Sequence, residues 1–231
     1  MMPALQMGLQ EIEDNSPMSN LFSHALPGIS QTPLADRYLV SGKLLGTGAY
    51  ANVYQGKCKA SGQPVAIKII PRIKIESLDH PADERKLILT EMQLGLELRH
   101  EHCTGTTEVF ENADKYVIIM ELMGGGDLFE YLERGKTVCE GEVQCIMRQL
   151  LTGLHYMHSQ NIGHFDIKAE NVLLSKELPM TVKHCDYGIS IDLNRSQPSC
   201  FKVPGMLRCT PGYGAPEVVR QQSCGLKADM W

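Results

Sequence analysis

The chain has 231 residues, 43% hydrophobic and 21% charged, with 22 Lys plus Arg against 27 Asp plus Glu and a net charge of -5. That length allows one large domain or two small ones with a buried core. The mild acidity argues against nucleic acid as the main partner, and no apolar run approaches the ~20 residues of a membrane-spanning helix, so membrane insertion is not expected.

Met1 to Asn15 has acidic residues inside its apolar stretches and no basic region ahead of them, unlike a signal peptide. An intracellular, cytoplasmic protein is expected. Its eight cysteines form no C-x-x-C pair or Cys/His ladder, so neither a zinc site nor a redox dithiol is indicated. Residues 1–37 carry Pro3, Pro17, Pro27 and Pro33 with no sustained periodicity, which predicts a disordered extension. Within it, Asn20 to Leu26 reads either as a sticky tail or as a docking motif.

Order is expected from Tyr38. Tyr38 to Leu45 and Asn52 to Lys59 read as strands around a Gly-containing turn, and Val65 to Ile70 as a short β-branched strand. Ala82 to Leu98 has helical spacing. Thr107 to Phe110 and Tyr116 to Met120 read as a hairpin around Asn112-Ala113-Asp114. Val143, Ile146, Met147, Leu150, Leu151, Leu154 and Met157 recur at helical spacing and predict a strongly amphipathic helix. A strand-rich first part is thus followed by a helical second part, which indicates a two-lobed α+β fold.

Five clusters carry chemistry. Leu45-Gly46-Thr47-Gly48 lies between two strands, where glycines let backbone N–H groups approach a polyphosphate, though such a pair is also an ordinary tight turn. Lys68 lies toward the end of a buried strand, where an ammonium needs an anionic partner; Glu91 on the next helix can supply one. His164-Phe165-Asp166-Ile167-Lys168-Ala169-Glu170-Asn171 gathers a carboxylate, an amine and an amide in one loop, the needs of phosphoryl transfer to a hydroxyl. Cys185-Asp186-Tyr187-Gly188 offers a carboxylate that either closes a turn or, with Asn171, binds Mg²⁺. The last is Cys209-Thr210-Pro211-Gly212-Tyr213-Gly214-Ala215-Pro216-Glu217.

In this order, the five clusters resemble the eukaryotic protein kinase family over Tyr38 to Trp231. The resemblance implies a protein-kinase-like fold with a β-rich N-lobe over 38–122, a hinge over 121–126 and a mainly helical C-lobe over 127–231. It implies ATP and Mg²⁺ as cofactors and a serine/threonine hydroxyl of a protein or peptide as acceptor. Gly46 and Gly48 would cover the phosphates. Lys68 would hold them while paired with Glu91. Asp166 would be the base, Lys168 would sit near the γ-phosphate, and Asn171 and Asp186 would be the metal ligands. Adenine would meet Leu45, Val53, Ala66 and Leu173 and the backbone of Glu121 and Met123. Gly125 to Phe129 and Lys168 to Asn171 look most like the calcium/calmodulin-dependent and AMP-activated group. Asp127 and Glu170 would then favour basic residues on the peptide, with Thr210 beside the acceptor; the plainer reading of the two acids is a solvated surface.

Several residues depart from the family. Ala51 replaces the third glycine of the loop. Phe165 replaces the arginine of His-Arg-Asp, and Met206 stands where relatives carry an activating phosphothreonine, so activity independent of phosphorylation in that segment is expected; Ser196 and Ser199 remain candidate phosphosites. Tyr187 adds a hydroxyl that needs a partner. Gly95 and Cys103 to Thr106 stand where bulkier apolar residues are usual, which predicts soft packing. Ala228-Asp229-Met230-Trp231 resembles the start of a central helix, and the resemblance implies that Asp229 supports the backbone of the loop carrying Asp166; the lobe is expected to be C-terminally incomplete and Glu217 to lack its arginine. The competing function is a kinase-fold scaffold or nucleotide-binding protein with weak or absent catalysis.

Overall fold

The computed structural model describes residues 29–30, 32–135, 137–195, 209–220 and 224–231. The Asn20 to Leu26 stretch, Ser196, Ser199 and Met206 lie outside them. The chain divides into two compact units: one takes the described residues up to Met92 together with Gly105–Leu122, the other Gln93–Thr104 and Met123–Trp231.

The first unit is an antiparallel sheet in the order β1 (Tyr38–Thr47), β2 (Asn52–Cys58), β3 (Pro64–Pro71), β5 (Lys115–Glu121), β4 (Thr106–Glu111). Its central strand β3 is paired on both sides and buries Val65, Ala66, Ile67, Ile69 and Ile70. Alternation then sorts the faces. Val65, Ile67 and Ile69 join Tyr38, Tyr54, Phe110, Val117 and Ile119 in one core cluster, so Ala66 and Lys68 point to the opposite face. Gly56 is needed for this packing, because a Cβ there would lie 2.9 Å from the Leu39 carbonyl and run into Ile67. Strand β1 runs two residues past the expected Leu45, since Gly46 still pairs with Val53. The β4–β5 turn is closed by Asn112, whose Oδ1 accepts the N–H groups of Asp114 and Lys115 at 3.0 and 2.8 Å.

Structure also begins before Tyr38, inside the segment expected to be an extension. Ser30 N donates to Val109 O at 2.8 Å on the outer edge of β4, and α1 (Leu34–Arg37) brings Arg37 into an ion pair with Glu108. Edge strands invite such cover because their outer backbone groups have no partner in the sheet. Tyr38 donates its hydroxyl to the same carboxylate at 3.0 Å. Burial, reinforced by that carboxylate, pushes the Tyr38 phenol up to about 12. A short α2 (Arg72–Glu76) follows β3 and leads to α3 (Pro81–Glu97), which buries Ile88 and Met92 and carries Glu91.

The second unit is organised around α5 (Glu140–Ser159). Of the expected apolar stripe, Ile146, Leu150, Leu154 and Met157 are buried, while Val143, Met147 and Leu151 form an exposed row at 41–46%. Ile146 and Leu150 pack on Val172, Leu174 and Val182, residues of β8 (Val172–Leu174) and β9 (Val182–His184), which form a small sheet with β6 (Gly126–Asp127). Met157 packs instead with Leu94, Leu98, Cys103, Ile162 and Tyr187. The Tyr187 ring therefore fills core space beside Cys103, and its hydroxyl donates to the Thr104 and His184 carbonyls at 3.2 Å, which supplies the partner the sequence required. Gly153 permits the close approach of α5 to this region: a Cβ there would lie 2.7 Å from His102 O. The unit is completed by α4 (Leu128–Glu133), β7 (Ile162–Gly163) paired with β10 (Ile191–Asp192), and α6 (Pro216–Val219), with Glu217 half-buried in the first turn of α6. Leu226–Met230 forms a 3₁₀ turn where the start of an α-helix was expected.

Candidate active site

Within the first unit, register fixes the neighbours of Lys68. It lies opposite Val53 on β2 and Ile118 on β5, and Ala66 lies opposite Met120. Directly opposed residues share a face, so Val53, Ala66 and Lys68 are brought together on the side away from the core cluster. Lys68 Nζ donates to Glu91 Oε1 at 2.5 Å, with the two side chains 16% and 9% exposed. Each charge offsets the desolvation of the other. Gly46 and Gly48 flank the β1–β2 turn, which is closed by Gly48 N donating to Ala51 O at 2.8 Å. Neither glycine is required by the fold, because a Cβ would meet nothing within 4 Å at Gly46 and only Ala51 O at 3.6 Å at Gly48. Leu45 beside them is 38% exposed. Glu121 is tied to the start of β4, accepting from Gly105 N at 3.0 Å through its carboxylate.

Within the second unit, the loop between β7 and β8 is held from below by Asp229. Its carboxylate is wholly buried and accepts from His164 N at 2.8 Å, Phe165 N at 2.6 Å and His158 Nε2 at 2.8 Å. Phe165 has φ +62, a left-handed conformation that a bulky residue adopts only when its surroundings enforce it. The His164 ring bonds the Cys185 carbonyl through Nε2 at 3.1 Å, which makes Nε2 the protonated nitrogen and leaves Nδ1 to accept from Asp166 N at 3.3 Å. Ser190 Oγ donates to His164 O.

On this base the Asp166 carboxylate is surrounded by donors. Lys168 Nζ lies 2.7 Å from Oδ2, Asn171 Nδ2 donates to Oδ2 at 2.8 Å, and Thr210 Oγ1 donates to Oδ1 at 2.6 Å. Lys168 also donates to Thr210 Oγ1 at 2.8 Å. The structure thus gathers Asp166, Lys168, Asn171 and Thr210 within hydrogen-bond reach. Asp186, at φ +63, follows the strand β9 beside them, and Cys185 N donates to Asn171 O at 3.0 Å. Leu173 is half-buried on β8, opposite Asp127 on β6. Asp127 has a structural duty, since its Oδ1 caps α4 by accepting from Glu130 N at 2.7 Å. Glu170 is exposed in the 3₁₀ turn Ala169–Asn171, against which α4 packs. Met123, expected to offer its backbone to adenine, is the first residue of the second unit after Leu122 and is half-buried.

Sequence reasoning did not identify His158, Ser190 or the Thr104 carbonyl as supports. None of them stands in a short motif with the residue it holds.

The family model of the protein kinase domain matches residues 39–231, and the chain belongs to that family. A serine/threonine-protein kinase PLK4 of Drosophila ananassae is 36% identical over 189 residues, 81% of this chain and 23% of that protein. The PLK4 of Drosophila virilis is 37% identical over 198 residues, 85% of this chain and 24% of the relative. That of Aedes aegypti is 35% identical over 190 residues, 82% of this chain and 23% of the relative. The chain therefore spans about a quarter of the length of these relatives. Their names are those of PLK4 rather than of the calcium/calmodulin-dependent and AMP-activated group suggested by Gly125 to Phe129; what the two readings share is the serine/threonine protein kinase. Among the described residues no helix is long and apolar enough to cross a membrane.

Proposed function

We propose that this chain transfers the γ-phosphate of ATP to serine or threonine hydroxyls of protein substrates. The observation that carries the reading is the Asp166 carboxylate, held between Lys168, Asn171 and Thr210 on a loop pinned by Asp229. A carboxylate so placed can accept the proton of an incoming hydroxyl, while Lys168 meets the charge that develops on the transferred phosphoryl group. Lys68, oriented by Glu91, would hold the remaining phosphates. The two glycines that the fold does not require would let the turn backbone approach them.

The donor set suits Mg²⁺. The Asn171 amide nitrogen is spent on Asp166, so Oδ1 is its donor to a hard cation, and Asp186 adds a carboxylate. Two protein oxygens with water and phosphate completing the shell is how Mg²⁺ is commonly held. When bound, it supplies charge neutralisation at the phosphates. Asp127 and Glu170 would favour basic residues on the peptide; Glu170 is exposed, and Asp127 keeps one carboxylate oxygen beyond its capping bond.

The test is peptide phosphorylation with ATP and Mg²⁺ by the chain and by Asp166→Asn. Substitution should lower the rate about 10²- to 10⁴-fold, the usual weight of a positioned base; equal rates would remove the reading. They would favour the scaffold alternative, for which Gly95, a buried helical position without a side chain, speaks. Phe165 leads to a second expectation: activity survives phosphatase treatment. Loss of activity on that treatment, restored by an acidic residue at Ser196 or Ser199, would contradict it.

A further inference from the structure

Phe165 is the residue before Asp166, and Cys209 is the residue before Thr210. Asp166 and Thr210 share a 2.6 Å hydrogen bond. Their two neighbours pack on one apolar core made by Ala215, Val218 and Cys224, together with Ile191, Leu193 and Ala228. Two glycines make room for them. A Cβ on Gly163 would collide with the Phe165 ring, and one on Gly214 would lie 2.5 Å from the Cys209 thiol. At neither glycine does a positive φ require the residue, so the close approach of an aromatic ring and of a thiol accounts for both.

We propose that Phe165 is a positioning residue for phosphoryl transfer: by apolar packing with Cys209 on this common core, it keeps the Thr210 loop bonded to Asp166 and Lys168. The backbone of Phe165 is already fixed by Asp229 in a left-handed conformation, which sets the direction of its Cα–Cβ bond and limits where the ring can go. Packing of this kind is present as soon as the chain folds. It needs no charge to be added, which is the physical reason that an arginine at 165 would be dispensable here. The inference rests on Asp166 being the base, and its two tests separate the two ideas.

The first test does not depend on activity. Alkylation of individual thiols by iodoacetamide, followed by peptide mass spectrometry, compares Cys209 (half-buried) with Cys103, which is buried in a different cluster. In Phe165→Ala the Cys209 rate should rise about tenfold, as expected when local opening is made easier, with Cys103 unchanged. Gly163→Ala, which forces the ring out, should act in the same direction. A Cys209 rate within about twofold of the original, or a rise matched by Cys103, would overturn the proposal. Should Phe165→Ala not fold, Phe165→Leu, which keeps apolar bulk, is expected to protect Cys209 better than Phe165→Arg; equal rates in those two would also overturn it. The second test is kinetic. Phe165→Ala should lower kcat about tenfold with the KM for ATP within about twofold, because the loop that is loosened meets the acceptor side of the reaction. An unchanged kcat, while Asp166→Asn is inactive, would remove the role of Phe165. Activity retained by Asp166→Asn would remove the phosphotransfer reading, leaving the thiol comparison to judge the packing.

Discussion

The two units fix their functional groups by different means. In the first, Lys68 sits on a regular strand. Its partners Val53 and Ile118 follow from ladder register, and its face from alternation. In the second, Asp166 sits on an irregular loop whose backbone is held by a carboxylate 64 residues away from Phe165 along the chain. A site residue on a strand inherits its geometry from the element. One on a loop needs dedicated supports, and losing a support should cost as much as losing the residue itself.

That contrast is sharpened most by Asp229→Ala. The N–H groups of His164 and Phe165 would lose their acceptor and the partly exposed His158 its partner, so we expect a loss of roughly 2–6 kcal/mol, from about 1–3 for each of the two N–H groups. Chemical denaturation would measure this, and a loss below ~1 kcal/mol would show that the loop is held by other contacts. No single substitution on the Lys68 face of β3 should unfix that strand comparably.

A pH effect of somewhat smaller size is expected in the second unit. His184 is 2% exposed. Its Nε2 lies 2.9 Å from the Leu150 carbonyl, while Nδ1 is buried with no hydrogen-bond partner among the described residues. Burial, and then the neighbouring His164, pull its pKa from the usual 6.5 down to about 4. The unfolded chain therefore binds a proton at this site more readily than the folded one. Its contribution is complete above pH ~6.5 and is lost as pH falls toward ~4, amounting to about 3 kcal/mol at about 1.4 per unit. Denaturation midpoints between pH 7 and 4 should show the decline, and a His184→Asn variant should flatten it; an identical slope in the variant would assign the effect to other groups.

The smallest effect on folding belongs to the first unit. Gly46→Ala introduces a methyl with nothing within 4 Å, so Tm should move by less than about 2 °C while phosphotransfer falls severalfold, the expected cost of blocking close backbone approach. A large drop in Tm would mean that the glycine serves the fold instead of a ligand.

How far the site was legible follows the same division. Lys68, Glu91, Asp166, Lys168, Asn171 and Asp186 stand in short motifs, and their identities could be read in line. The bond from Thr210 to Asp166 could not, because 44 residues separate them. The seven-residue apolar stripe of α5 specified a helix, but not that Val143, Met147 and Leu151 would remain exposed: periodicity defines a face and says nothing of its width or of what covers it. Asp127 showed its charge in the sequence, whereas its use as a helix cap depends on where α4 begins.

By itself, then, the sequence determined the strands of the first unit, the long helix, the family and the residue types of the candidate site. These rest on local periodicity and on residue types within a few positions of each other. Only the tertiary structure decided that His158 shares the Asp229 carboxylate with the Asp166 loop, that the Tyr187 hydroxyl reaches Thr104, and that Phe165 and Cys209 share one core. Those contacts join residues that are distant in the chain, and a side chain finds such a partner only when folding has brought both to the same place.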